Sequence, residues 1–111
     1  MSSYQAVSLA GVPTVQAWIE VIESNGQIQV IPYCRSENAI TVSYVLLSEK
    51  AGRSGTSTSR QSGKVVLESG KNISLARQRL GIIKEDQYRL TLKVFSKGEL
   101  IASDLVNVPV R

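Results

Sequence analysis

The sequence predicts an all-β chain, an antiparallel β-sandwich of seven to eight short strands. Three observations carry this. Apolar residues recur with a period of two rather than 3.6 along most of the chain. Turn signals such as Asn25-Gly26, Ser69-Gly70 and Ser96-Lys97-Gly98 punctuate the runs at short, even spacing. No window of about 11 residues shows an amphipathic helical pattern.

The elements follow in order. Val15 to Glu23 sets Val15, Ala17, Ile19 and Val21 on one face, with Trp18 and Ile22 on the other. Asn25-Gly26 is the strongest short hairpin signal, because a type I′ turn needs positive φ at both central residues. Gln27 to Ile31 alternates again and is expected to stop at Pro32, whose nitrogen cannot donate to a ladder. Ala39 to Leu47 is β-branched and aromatic and makes a third strand. Lys50 to Gly55 reads as a loop. Thr56 to Gln61 holds no large apolar residue, so it reads as an exposed strand. It points Thr56, Thr58 and Arg60 one way and Ser57, Ser59 and Gln61 the other. Ser62-Gly63 is expected to turn the chain into Lys64 to Glu68, and Ser69-Gly70 to turn it into Asn72 to Ala76, after which the alternation fades. Tyr88 to Phe95 alternates most cleanly, with Tyr88, Leu90, Leu92 and Val94 inward and Arg89, Thr91 and Lys93 outward. Glu99 to Val106 is the last strand.

Tyr88 refines the fold class. A tyrosine opening the penultimate long strand, just after the acidic turn Glu85-Asp86, matches the tyrosine corner of immunoglobulin-like sandwiches; a plain core tyrosine is the alternative. The antibody disulfide is absent, since Leu90 sits where its second cysteine would be.

Composition narrows the function. The 111 residues suit one domain, residues 1–111, of which 1–13 are expected to be loosely ordered. The chain has no histidine and one cysteine. That removes the usual general base, Ser–His and Cys–His nucleophile pairs, zinc sites of the Cys₄ or Cys₂His₂ kind and any intrachain disulfide. Cys34 lacks a resolving partner and reads as a small buried hydrophobe or an inert loop thiol. The neighbouring acids Glu85 and Asp86 read as solvated turn residues rather than an acid/base pair. No enzymatic activity, cofactor or metal is expected.

Charge is unevenly spread. Residues 1–49 carry Arg35 against Glu20, Glu23, Glu37 and Glu49, net −3, and residues 50–111 carry a net +7. The stretch 50–79 alone holds seven bases against Glu68, net +6. A basic half favours an anionic partner, although it also serves solubility. Nucleic acid is an unpromising partner, because no aromatic residue sits within 50–79 to stack on bases. The hydroxyl-rich run Ser54 to Gly63 lacks the Gly-x-x-x-x-Gly-Lys-Ser/Thr order of a phosphate cradle. Asn72-Ile73-Ser74 matches the glycosylation sequon, a pattern of low specificity. No run approaches about 18 apolar residues, so membrane insertion is not expected. The first residues lack the basic and apolar regions of a signal peptide, so either a cytoplasmic protein or a mature exported domain is expected. The Thr56 to Gln61 strand suits a sheet edge. It would either guard against self-association or accept a foreign extended chain, with Arg60 and Lys64 selecting an acidic or amide-rich partner.

At this segment the sequence resembles the curli-assembly inhibitors, the CsgC and CsgH group of bacterial periplasmic proteins. The matching residues are Gln27-Ile28-Gln29-Val30-Ile31-Pro32, then Ser54-Gly55-x-Ser57-x-x-Arg60-Gln61, then Leu67, Ile73, Leu75, Leu80 and Asp86. The register holds without gaps from about residue 31 to 95, and the likeness is closer to CsgH. The resemblance implies an immunoglobulin-like sandwich in the periplasm, in mature form. It implies a chaperone-like role, keeping the unfolded curli major subunit from nucleating amyloid through a basic surface, with the curli secretion machinery as a further partner. Arg53, Arg60, Lys64, Arg89 and Lys93 are the expected partner-binding residues, and Arg77 and Arg79 are substitutes if the faces differ. A monomer is expected. Some CsgC-type members carry a Cys-x-Cys pair where this chain has Ile40 and Val42, so a thiol–disulfide role is not implied here. The alternative is a non-catalytic immunoglobulin-like module that docks a folded partner of a secretion or surface-assembly complex.

Overall fold

Alternation of apolar and polar side chains forces two sheets to bury their apolar faces against each other. The computed structural model describes residues 14–53, 55–81 and 85–108. Residues 1–13, and Ser54 of the resembling segment, lie outside them. The described residues form eight strands and no helix: β1 (Val15–Ser24), β2 (Gln27–Ser36), β3 (Ile40–Gly52), β4 (Gly55–Leu67), β5 (Asn72–Ser74), β6 (Gln78–Gly81), β7 (Gln87–Ser96) and β8 (Glu99–Val108). One sheet runs β1-β2, with β5 and β6 end to end along the far side of β2. The other runs β4-β3-β7-β8, and all strand pairs are antiparallel. The protein is thus an all-β antiparallel sandwich.

The inward set of each strand makes the core. Val15, Ala17 and Ile19 from β1 and Ile28, Val30 and Cys34 from β2 meet Val42, Leu46, Leu67, Leu90, Leu92 and Val94 of the second sheet. Burying each large aliphatic side chain is worth about 1.5–3 kcal/mol. Asn25 and Gly26 both have positive φ, as the hairpin turn requires.

Four expectations need correction. First, β2 does not stop at Pro32. Pro32 falls between β6, which ends its pairing at Val30, and β5, which begins at Tyr33. Its carbonyl accepts Leu75 N–H at 2.8 Å, so the side that lacks an N–H faces the break in the edge. Second, Lys50, Ala51, Gly52 and Gly55 belong to strands, not to a loop, and pairing runs up to Gly52 opposite Gly55, with Arg53 in the turn. Third, Ser62-Gly63 makes no turn. Gly63 lies opposite Tyr44, and a Cβ there would sit 3.0–3.2 Å from the Tyr44 ring. The ring fills the place of the missing side chain, which keeps β4 one continuous strand. Fourth, Asp86 is buried rather than solvated. Its carboxylate lies 3.3 Å from Lys50 Nζ, whereas the neighbouring acid Glu85 is exposed.

The tyrosine corner is present: Tyr88 OH donates to Gly81 O at 2.7 Å. Cys34 is a buried strand residue rather than a loop thiol, and burial raises its thiol pKa to about 11.

Candidate functional site

Register places the outward side chains of the second sheet in rows. Arg60 of β4 stands opposite Leu47 of β3, Leu47 opposite Thr91 of β7, and Thr91 opposite Leu105 of β8. The next row is Ser62, Val45, Lys93 and Ser103. Lys64 lies opposite Ser43, which lies opposite Phe95. Thr58 lies opposite Glu49, and Glu49 opposite Arg89.

These rows bring Arg60, Lys64, Arg89 and Lys93 onto one face, each exposed. Four residues along a strand span about 13 Å, and two strand spacings add about 9.5 Å across. The four cations therefore form a lattice with neighbours roughly 12–13 Å apart. That exceeds the screening length of about 8 Å at physiological salt, so their mutual repulsion is modest while their attraction for a polyanion adds up. Among the described residues none of the four joins an ion pair. Glu49 is the acidic residue placed among them, and sequence reasoning missed it. The period-two pattern of β3 does carry the signal, because it points Val45, Leu47 and Glu49 to the side opposite Val42 and Leu46.

The other bases stand apart. Arg53 is at the β3–β4 turn, 3.4 Å from Glu85, in a pair exposed enough to contribute little. Arg79 lies on β6 in the other sheet, opposite Gln29 of β2. Lys71 pairs with Glu68 at 2.7 Å; this contact lowers the Glu68 pKa and raises that of Lys71.

The basic face is not purely polar. Val66 and Leu105 are half-exposed or more upon it, and Leu100 is exposed opposite Phe95 at its β8 corner. A groove of about 400 Å³ runs beside Glu49, Thr56, Thr58, Gln87, Arg89 and Asn107 at the hairpin end. On the outer face of the first sheet, Trp18 stacks on Tyr33 with ring centroids 5.6 Å apart. No cluster of metal-ligating side chains occurs among the described residues.

Among the described residues β4 is an edge strand, as its composition predicts. Its inward side chains Ser59 and Gln61 are polar, whereas Val65 and Leu67 pack into the core. Gln78 of β6 donates to Ser59 Oγ at 3.0 Å, and its Oε1 accepts from Ser48 Oγ at 3.0 Å. The Gln61 Oε1 atom is buried and accepts no hydrogen bond among the described residues.

The comparisons agree with this architecture. The solution structure of R. palustris CsgH is similar at TM-score 0.66 and 24% identity, covering 80% of this chain and 88% of that one. The E. coli curli protein CsgC is similar at TM-score 0.70 and 20% identity, covering 87% of this chain and all of that one. At these identities both show a shared fold. No curated protein sequence matches. Residues 8–106 match the family described as thin aggregative fimbriae synthesis protein. The sandwich, its neighbours and a match over most of the sequence lead to one conclusion: the chain belongs to the Tafi-CsgC family.

Proposed function

We propose that this protein is a non-catalytic, chaperone-like inhibitor of curli amyloid assembly that acts in the periplasm. Its target is the unfolded curli major subunit, and its contact surface is the outer face of β4-β3-β7. The observation that carries this reading is the convergence of Arg60, Lys64, Arg89 and Lys93 on one face without ion-pair partners. Separate cations attract an extended chain with acidic groups from any direction, and no single deep pocket holds it. Contacts of that kind are fast and weak, and they raise the encounter rate more than the affinity. A chain held transiently in this way is removed from the pool that forms the cross-β nucleus.

A second reading is favoured by the exposed Val66, Leu100 and Leu105: docking of a folded partner of the assembly machinery through an apolar patch. Salt separates the two. Purified curli major subunit is allowed to form fibres under thioflavin fluorescence, with this protein far below equimolar, at low and at several-fold higher salt. A long lag that shortens as salt rises supports electrostatic inhibition. A lag unaffected by the protein at either salt rejects it and leaves the docking reading.

A further inference from the structure

Among the described residues β4 ends its sheet, and none of their strands pairs with its outer side. In an antiparallel strand each residue points both its N–H and its C=O to one side. Alternate residues of this thirteen-residue strand therefore present free backbone groups beyond β3. An edge sealed by packing would carry apolar side chains beneath it. Leu67 and Val65 supply these at one end of β4, but further along Gln78 of β6 donates to Ser59 and accepts from Ser48, and the inward residue Gln61 has a buried Oε1 with no hydrogen-bond partner among the described residues. Above the edge stand Thr58, Arg60, Ser62 and Lys64.

We propose that the free edge of β4 pairs with an extended chain segment whose side chains alternate between amide and acidic. The main chain of the segment continues the sheet. Its amide side chains turn inward, where an Asn or Gln NH₂ donates to Gln61 Oε1. Its acidic side chains turn outward beside Arg60 and Lys64. Directly opposed side chains in such a pair are about 5 Å apart, close enough for both contacts. Backbone bonds supply affinity and alternate side chains supply selectivity. The same bases discourage pairing with a second copy, because like charges would face each other across the new ladder. The proposal rests on the reading that the target is an unfolded chain, and it adds which segments of that chain are taken and by which edge.

The probe is an end-blocked octapeptide alternating Gln and Glu. One control alternates Val and Glu, keeping the charge and losing the amides. The other is the Gln/Glu peptide N-methylated at every residue, which keeps its side chains but has no backbone N–H. Each is titrated into the ¹⁵N-labelled protein at low salt. The Gln/Glu peptide is expected to bind about ten-fold tighter than either control, with shifts concentrated in β4. In Gln61→Leu its advantage over the Val/Glu peptide should shrink to within about two-fold, since the acceptor is gone. Equal binding of the N-methylated peptide, or absence of binding by any of them, overturns edge pairing. Retained amide preference in folded Gln61→Leu overturns the role of the buried acceptor. Neither result touches salt-dependent inhibition by the basic face, which the fibre assay reads separately.

Discussion

The Asp104 carboxylate on β8 accepts the backbone N–H of Ile19 on β1 at 2.9 Å, joining the edge of one sheet to the edge of the other. The Ile19 side chain is in the core, and Asp104 is buried beside it. A second oxygen of the same carboxylate accepts Leu105 N–H at 3.0 Å. Removing the side chain leaves a buried N–H unsatisfied. Asp104→Ala is therefore expected to lower stability by about 1–3 kcal/mol in urea unfolding, and Asp104→Asn by less, because an amide oxygen still accepts.

Tyr88→Phe tests the corner. It keeps the ring in the core and deletes the bond to Gly81 O. A loss of about 1 kcal/mol in unfolding free energy is expected, with the strand register unchanged in an NMR spectrum.

Charge reversal tests the face. Arg60 and Lys64 are exposed, four residues apart on one side of β4, and make no ion pair. The double variant Arg60→Glu, Lys64→Glu should shift stability by no more than about 0.5 kcal/mol. It should abolish the lag extension in the thioflavin assay. Full inhibition by this variant would sink the basic-face mechanism.

Gly52 tests the hairpin base. A Cβ at this position would run into the Asp86 carboxylate, which is buried and paired with Lys50. Gly52→Ala must displace that carboxylate from its site. A loss of about 1–3 kcal/mol is expected, read as a lower urea midpoint.

Cys34 sets an alkaline limit. Burial holds its thiol neutral up to about pH 11 in the folded chain, against an ordinary value of 9.0. The folded state therefore binds more protons than the unfolded state between these values, and stability falls as pH rises through that window. Cys34→Ser is not a fair control, because a hydroxyl would be buried; Cys34→Ala is. Unfolding free energy measured from pH 8 to 11 should decline more steeply for the parent than for Cys34→Ala. Alkylation of native Cys34 at pH 8 should be no faster than global unfolding.

Much of the fold is legible in the sequence because face alternation is a local property. Val15, Ala17 and Ile19, and then Tyr88, Leu90, Leu92 and Val94, declare which side is core without reference to any partner strand. Asn25-Gly26 likewise needs only its own φ angles. Pro32, Ser62-Gly63 and Asp86 mislead for the opposite reason. Each carries a local breaker or surface signal that a distant group cancels: the break between β5 and β6, the Tyr44 ring, and the Lys50 ammonium.

The candidate site divides in the same way. The sequence by itself determined that strands form, which side chains point outward, and that positive charge gathers after residue 50. Only the tertiary structure decided that Arg60 and Lys64 share a face with Arg89 and Lys93 while Arg53 and Arg79 do not. It also placed Glu49 among those bases and left Gln61 Oε1 without a donor among the described residues. Side-chain direction follows from the pleat of one strand, whereas neighbourhood depends on which strands pair. Pairing is settled by how the whole chain buries its apolar faces, and no short window of sequence contains that choice.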